Sequence, residues 1–256
     1  MANHSAVRPP SDTPATSAHT ARETAWHPRS LLASLPPDDR AALLRLGTPR
    51  RFERGAMLMR FGEAGHDAHL ILDGCVKVLG GHADGHTTLL AVRMAGDIVG
   101  ELSVLDGRPR SATVEAAAPT RVRTIGGGAL RTFLHEHPGV GTAVQHNVNA
   151  KLREAIGHRT DSSGAPVMLR LVRVLDRLGR YCGRRTEEGL AISVPLSQAD
   201  LSALVGATEQ SVRRALGVLR SSGVLLTRYR SLVIADTDRL AALAEETAPE
   251  PARRRT

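Results

Sequence analysis

Cysteine is almost missing from this chain of 256 residues, which contains only Cys75 and Cys182. Two thiols cannot supply the four thiolates of an iron–sulfur cluster or a structural zinc site, so we expect reduced cysteines and no bound metal. Long apolar runs are missing too, since no stretch approaches the ~18 consecutive apolar residues of a membrane helix. The first residues also lack the apolar segment of a secretory signal. We therefore predict a cytoplasmic protein that does not contact a membrane.

Lysine is scarce as well, because only Lys77 and Lys151 occur among 34 basic residues. The formal net charge is nevertheless +8, and arginine carries nearly all of it. A basic chain attracts polyanions, and arginine binds phosphates and base edges better than lysine does. The composition therefore favours a nucleic-acid partner, provided that the arginines are placed where they can reach one.

A hydrophobic content of 41% is typical of a globular protein, and the length allows one or two domains. Residues 1–25 and 246–256 are low in complexity and are predicted to be disordered tails. From residue 51 to residue 125, short apolar runs such as "AHLILDG" and "CVKVLGG" are separated by Gly, Asp or Pro. This rhythm predicts antiparallel strands in a roll or a sandwich.

A long helix is predicted to begin after Pro138. Its apolar residues recur every three to four positions, at Val140, Val144, Val148, Leu152 and Ala155–Ile156. A stripe this narrow favours a seam with the same helix of a second copy over packing on the chain's own β domain. The stretch "TDSSGAP" that follows is rich in Ser, Gly and Pro and predicts a hinge at a domain boundary.

The stretch 194–236 has the pattern of a helix-turn-helix. Ser197 and Asp200 form a capping-box-like helix start, and Gly206 supplies the positive φ that a sharp turn needs. Thr208 is expected to cap the second helix. The apolar face of this second helix is formed by Val212, Leu216 and Leu219.

The opposite face of the second helix is polar and basic. It carries Gln210, Arg213, Arg214 and Gly217. After it, "VLLTRYRSLVIA" predicts two short strands about a tight turn, a wing that bears Arg228 and Arg230. Because one helix face docks on the domain and the other is free to enter a major groove, we favour DNA binding over an ordinary solvated basic surface.

Three stretches together resemble the Crp/Fnr family of bacterial transcription regulators: "FERGAMLMRFGEAGHDAHLILDGCVKV", "GDIVGELSVLDGRPRSATV" and "SQADLSALVGATEQSVRRAL". The resemblance covers about Trp26 to Ala244, and the second stretch is similar to the family's phosphate-binding cassette. It implies an α+β fold with three parts and a tail at each end. The parts are a cyclic-nucleotide-binding β-roll (double-stranded and jelly-roll-like) over 26–136, a dimerisation helix and hinge over 137–163, and a C-terminal winged helix-turn-helix domain over 164–245.

The resemblance also implies where an effector binds. Glu101 would accept a hydrogen bond from a ribose 2′-hydroxyl, and Arg110 and Ser111 would bind the cyclic phosphate. The backbone nearby would line the sugar-phosphate at Gly100, Leu102 and Ser103. The chemistry agrees, because a guanidinium offers forked donors to a phosphate, and a buried carboxylate needs hydrogen-bond donors. The alternative is that Glu101 pairs with Arg110 in an empty pocket.

The base end of the predicted site departs from the family's pattern. Members that bind cyclic AMP usually place a Thr-Ser pair on the dimer helix, where this chain has Ala155 and Ile156. Neither side chain can hydrogen-bond to an exocyclic amine, and an apolar site selects by shape alone. The expected effector is therefore cAMP or another cyclic nucleotide, and a regulator without a small effector is the alternative.

The residues predicted to contact DNA are Thr208, Glu209, Gln210, Arg213, Arg214, Arg228 and Arg230. Glu209–Gln210 stands where many relatives carry Arg-Glu, whereas Arg214 matches the family's base-contacting arginine. Arginine prefers guanine, glutamine prefers adenine and glutamate prefers cytosine. We therefore expect an operator that differs from the best-known site of the family, with Arg213 contacting either a phosphate or a base.

The sequence thus predicts a homodimeric transcription regulator that binds a palindromic operator in double-stranded DNA, with RNA polymerase as a further candidate partner. One alternative is a haem or redox sensor of the same family. The stretch "HADGH" is weak support for it, because a hairpin turn with exposed His82 and His86 explains the same residues. The other alternative is a cyclic-nucleotide-regulated enzyme. We predict that the protein is not an enzyme, since no paired carboxylates, nucleophile–base pair or phosphate loop is recognisable in the sequence.

Overall fold

A computed structural model of the chain describes residues 26–81, 87–162, 164–228 and 231–245. The two predicted tails lie outside the described residues, as do Arg230 of the predicted wing and both histidines of "HADGH". Within these ranges, no helix is both long enough and apolar enough to cross a bilayer.

The N-terminal part begins with two short helices, α1 (Leu31–Ser34) and α2 (Pro37–Arg45). They are separated at Pro36, and Pro37 takes up the start of α2, where a helix needs no N–H donor. The strands that follow are β1 (Thr48–Phe52), β2 (Met57–Met59), β3 (Asp67–Asp73), β4 (Cys75–Gly81), β5 (Thr87–Met94), β6 (Ile98–Val99), β7 (Thr113–Ala116) and β8 (Thr120–Gly126). A short helix, α3 (Glu101–Asp106), lies between β6 and β7.

The strands form two antiparallel sheets, of order β1-β8-β3-β6 and β2-β7-β4-β5. Their shared core includes Ile71, Val76, Val99, Val114 and Val122, all of which are buried. Because β6 belongs to one sheet and β7 to the other, α3 and the loop after it connect the two sheets. The predicted antiparallel roll is confirmed, and the cassette forms this connection.

Two helices follow the roll, α4 (Gly127–Glu136) and α5 (Pro138–Ser162). Val140 and Val144 on α5 are buried in the core of their own chain, whereas Leu152 and Ile156 have relative exposures of 58% and 54%. The interpretation of the whole apolar stripe as one seam therefore needs correction. A step of four residues rotates about 40° beyond a full helical turn, so the stripe winds from the inner side of α5 to the outer side.

The C-terminal part is a winged helix-turn-helix. Its elements are α6 (Val167–Cys182), β9 (Gly183–Thr186), β10 (Gly189–Ile192), α7 (Gln198–Val205), α8 (Glu209–Ser221), β11 (Leu225–Arg228), β12 (Ser231–Ile234) and α9 (Thr237–Glu245). The strands form an antiparallel sheet of order β11-β12-β10-β9. Leu171, Val172, Leu175 and Leu178 of α6 are buried beneath it. The predicted α+β architecture is thereby confirmed.

The C-terminal part packs directly on the roll. Leu79 and Leu89 of the roll belong to the same apolar cluster as Leu171 and Leu201. Lys77 Nζ donates to Asp200 Oδ2 at 2.7 Å, and both side chains are largely buried. Tyr181 also donates its hydroxyl proton to Asp97. The winged helix-turn-helix part is therefore held against β4 and β5 by an apolar contact flanked by polar bonds.

Both cysteines lie in this interface, and both are free thiols that are buried. Burial raises the pKa of Cys75 from 9.0 to about 11, and burial together with the neighbouring Cys75 raises the pKa of Cys182 to about 12. A pKa higher by two lowers the reactive thiolate fraction at neutral pH about 100-fold. We expect both thiols to resist a maleimide at pH 7.5 and to react at once in denaturant. Rapid labelling of the folded protein would show that the interface opens.

Candidate effector pocket and DNA interface

The cassette begins with a backbone conformation that glycine alone adopts readily. Gly100 precedes α3 with φ of 81°, in the left-handed region. A Cβ at this position would lie 2.7 Å from both Arg110 Nη1 and Met59 Cε. The absence of a side chain therefore lets the Arg110 guanidinium pack against the cassette backbone.

Arg110 is held by two acceptors. Its Nη1 donates to the Gly100 carbonyl at 3.0 Å, and its Nη2 donates to Asp67 Oδ1. Only 5% of the Arg110 side chain is exposed, yet it lines a cavity of about 480 Å³. The alternative pairing of Arg110 with Glu101 is therefore wrong, because Asp67 of β3 is the carboxylate that orients the guanidinium.

Glu101 is bonded to the long helix instead. Its Oε1 accepts from Lys151 Nζ at 2.9 Å, and the same ammonium donates to the Ile98 carbonyl at 2.6 Å. Glu101 is buried, and an unpaired buried carboxylate would be costly. The bond from Lys151 stabilises it and also connects α5 to the cassette.

The cavity brings together most of the predicted effector residues. Those that line it are Gly100, Glu101, Leu102, Ser103, Arg110, Ser111 and Ala155. Ile156 is not among the lining residues, because its position on α5 directs it to the exposed side of the helix. The remaining wall is mostly apolar and is formed by Met59, Val78, Leu90, Ala91, Val99, Ala112, Val114, Val148 and Leu152.

Sequence reasoning missed a second pair of charges in the cavity. Arg93 Nη2 donates to Glu154 Oε2 at 2.9 Å, and both residues line the cavity. An arginine inside the otherwise apolar strand "LLAVRM" was the available signal, since a charged residue in a buried strand needs a partner. Lys151 had a signal of its own, because it is one of two lysines in an arginine-rich chain.

The helix-turn-helix has the local geometry that its sequence predicts. Ser197 and Asp200 form a reciprocal capping box at the start of α7, and Gly206 ends α7 with φ of 65°. Thr208 Oγ1 accepts from the Ser211 amide at 3.3 Å at the start of α8. These caps satisfy backbone N–H groups at the starts of the two helices through bonds that span only three residues.

The face of α8 that was predicted to contact DNA, the reader face, is exposed. It carries Glu209, Gln210, Arg213 and Arg214, while Val212, Leu216 and Leu219 on the opposite face are buried. Arg213 Nε donates to Gln198 Oε1 at 3.2 Å, which leaves the terminal nitrogens of Arg213 at the surface.

On the wing, Arg228 forms an ion pair with Glu188 of the β9–β10 turn. The sequence prediction missed Glu188, whose pKa is lowered by the hydrogen bond from Arg228.

Two family models match separate parts of the chain. Residues 49–137 match "Cyclic nucleotide-binding domain", and residues 169–243 match "Crp-like helix-turn-helix domain". The first covers the cavity except for α5, and the second covers α7, α8 and the wing. In the described part of the chain, no group of three or more His, Cys, Asp or Glu side chains is arranged to hold a metal ion.

Similar proteins include a cAMP-activated transcription regulator and an anaerobic regulatory protein. The chain is 27% identical to the CRP-like cAMP-activated global transcriptional regulator of Mycobacterium tuberculosis. The match extends over 214 residues, which are 84% of this chain and 96% of that protein. It is 26% identical over 188 residues to the anaerobic regulatory protein of Bacillus subtilis, over 70% and 76% of the two chains. The solved structure of FixK2 from Bradyrhizobium japonicum has a TM-score of 0.69 at 22% identity, over 79% of this chain and 100% of that one.

Proposed function

Because this chain belongs to the Crp/Fnr family of transcription regulators, we propose that it is a homodimer that binds palindromic DNA under the control of a cyclic nucleotide. The observation that carries the proposal is the convergence of Arg110, Ser111 and Glu101 on one cavity. A guanidinium and a hydroxyl suit one phosphate charge, and a carboxylate suits a ribose hydroxyl. The cAMP-activated relative supports a cyclic nucleotide as the class of effector.

We assign three parts to this function. The roll over 26–136 holds the effector, the helix and hinge over 137–163 join two copies, and the domain over 164–245 reads DNA. Two copies would present one α8 each to half-sites about one DNA turn apart. Because bacterial DNA and RNA polymerase lie in the cytoplasm, we place the regulator there and keep the polymerase as a candidate partner.

The bond between Glu101 and Lys151 supports a route from effector to DNA. A ribose hydroxyl that donates to Glu101 competes with the Lys151 ammonium, which is carried by α5. Loss of this bond would let α5 shift relative to the cassette, and the shift would reach the hinge and the reader helices. An effector shifts the balance between two arrangements only by its different affinity for each of them.

The second candidate function is a regulator of the same family without a cyclic nucleotide. The observation that favours it is that Arg110 and Glu101 already have protein partners, Asp67 and Lys151. Relatives include an anaerobic regulatory protein and a global nitrogen regulator, neither of which is named for a nucleotide.

Calorimetry on the full chain with cAMP and with cGMP separates the two candidates. The proposal expects a heat of binding for at least one nucleotide and a changed affinity for a DNA site selected from random sequences. Specific DNA binding with no heat and no effect of either nucleotide would favour the second candidate.

Arg214→Ala is expected to weaken binding to the selected DNA site by ~1–3 kcal/mol and to relax the choice at one base pair. The reason is that Arg214 lies exposed on the reader face, where a guanidinium can reach guanine O6 and N7. Titration of specific and random duplexes gives the measurement, with Arg54→Ala, at an exposed turn between β1 and β2, removing the same charge as a control. An equal loss on every sequence would make Arg214 a phosphate contact.

A further inference from the structure

One wall of the cavity carries an ion pair, that of Arg93 with Glu154, although the sequence predicted an apolar base end. The Arg93 side chain is 10% exposed and the Glu154 side chain 37% exposed. Arg93 is therefore fixed in the wall by β5, whereas Glu154 on α5 keeps access to the space in front of it. A charged pair that lines a largely apolar cavity selects a ligand with matching donors and acceptors.

The position of this pair relative to the other cavity residues assigns it to the base. Arg110 and Ser111 suit the phosphate, and Glu101 suits the ribose. Glu154 follows Lys151, the partner of Glu101, by three residues on α5, an advance of about 4.5 Å along the helix. These charges are therefore the ones left to meet a base, and Ala155 beside them adds only a methyl group.

We infer that Arg93 and Glu154 read a purine that carries a 6-oxo and a 2-amino group, so that this chain selects cyclic GMP over cyclic AMP. The inference rests on the proposed effector function. A carboxylate accepts two parallel N–H bonds from a forked donor. Guanine presents such a fork, N1–H and the 2-amino group, with O6 beside it for the Arg93 guanidinium. Adenine presents one amino donor beside the N1 lone pair, which repels a carboxylate.

The positive charge of Arg93 keeps other partners when the Glu154 carboxylate turns toward a base. Its Nη1 donates to the Val92 carbonyl at 2.9 Å, and Asp97 lies close enough to act on it electrostatically. Asp97 is buried between β5 and β6 and accepts from the Met94 amide at 2.9 Å and from Tyr181. Exchange of Glu154 from Arg93 to a base therefore leaves no isolated buried cation.

The first test is a titration of the wild-type full chain with cyclic GMP, cyclic IMP and cyclic AMP by calorimetry. We expect cyclic GMP to bind about 10- to 100-fold more tightly than cyclic AMP, the range that one or two hydrogen bonds to a charged group provide. Cyclic IMP keeps N1–H and O6 but lacks the 2-amino group, so its affinity is expected to fall between the two.

The second test is designed to reverse the preference for cyclic GMP over cyclic AMP. Glu154→Gln offers one acceptor and one donor, which match the amino group and N1 of adenine, so the preference is expected to invert toward cyclic AMP. Glu136→Gln on α4 removes the same charge from an exposed position outside the cavity and should change neither affinity.

The outcomes distinguish this inference from the function on which it rests. Equal affinities, or tighter cyclic AMP binding by the wild type, would overturn base selection and leave a nucleotide-controlled regulator. A preference for cyclic GMP that is retained in Glu154→Gln would also overturn base selection by Glu154. If no cyclic nucleotide binds the wild type, the proposed effector function fails and the base selection fails with it.

Discussion

The variant Arg110→Ala is expected to weaken cyclic-nucleotide binding by about 30-fold or more, since removing one partner of a buried charge pair costs ~2–5 kcal/mol. The guanidinium is buried between the cassette and β3. Among the described residues, the two other cations that line the cavity, Arg93 and Lys151, are already paired with Glu154 and Glu101. Without Arg110, the negative charge of a phosphate bound at the cassette would have no unpaired cation to neutralise it. Calorimetry on the variant, beside the wild type, measures the loss.

Two further variants separate a lost contact from a disturbed cassette. Arg108→Ala removes a charge from an exposed position in the same loop and should leave affinity unchanged. Arg110→Ala also leaves Asp67 without its cation, so the double variant Asp67→Asn/Arg110→Ala restores charge balance without restoring the phosphate contact. Unchanged nucleotide affinity in Arg110→Ala would contradict the cassette role. Recovery of affinity in the double variant would show that the original loss came from Asp67.

The helix-turn-helix was predictable in detail because its geometry is determined locally. The bonds between Ser197 and Asp200 span three residues, and Gly206 and Thr208 act within one turn of their own positions. Such signals are contained in a short window of sequence. The order of helices, turn and wing could therefore be predicted without knowing what packs behind them.

The candidate effector cavity was predictable only on its cassette side, because the partners on the other side are distant in sequence. Asp67 lies 43 residues before Arg110, and Lys151 lies 50 residues after Glu101. Arg93 and Glu154 are 61 residues apart. A single sequence shows that a buried charge needs a partner, but it does not show which partner the sheet topology brings into reach.

The apolar stripe of α5 shows a different reason for an incomplete prediction. Spacing by four residues was enough to predict a long helix with one apolar face, and the helix is present. It was not enough to say what that face contacts, because the rotation of about 40° per step divides the stripe between three surroundings. Val140 and Val144 pack in the core of their own chain, and Val148 and Leu152 line the cavity. Leu152 and Ile156 are the exposed positions at which a second copy could pack.

This division determines where dimerisation should be most vulnerable. Ile156→Glu is expected to give a folded monomer that binds the palindromic site about 10²- to 10⁴-fold more weakly, because two linked reader helices gain that much over one. Ile156 is 54% exposed and lies outside the cavity, so the change spares the effector site while it places a charge in an apolar seam. Light scattering gives the mass, and titration of a palindrome and of a single half-site gives the two affinities.

Met57→Glu provides the matched control, because it introduces the same charge at an exposed apolar position on β2, away from α5. The control should remain a dimer and bind DNA normally, whereas Ile156→Glu should bind the palindrome no better than the half-site. A dimeric Ile156→Glu with full affinity would move the seam away from the distal part of α5. In that case α5 would serve only to carry Lys151 and Glu154 to the cavity, and the two copies would have to meet elsewhere.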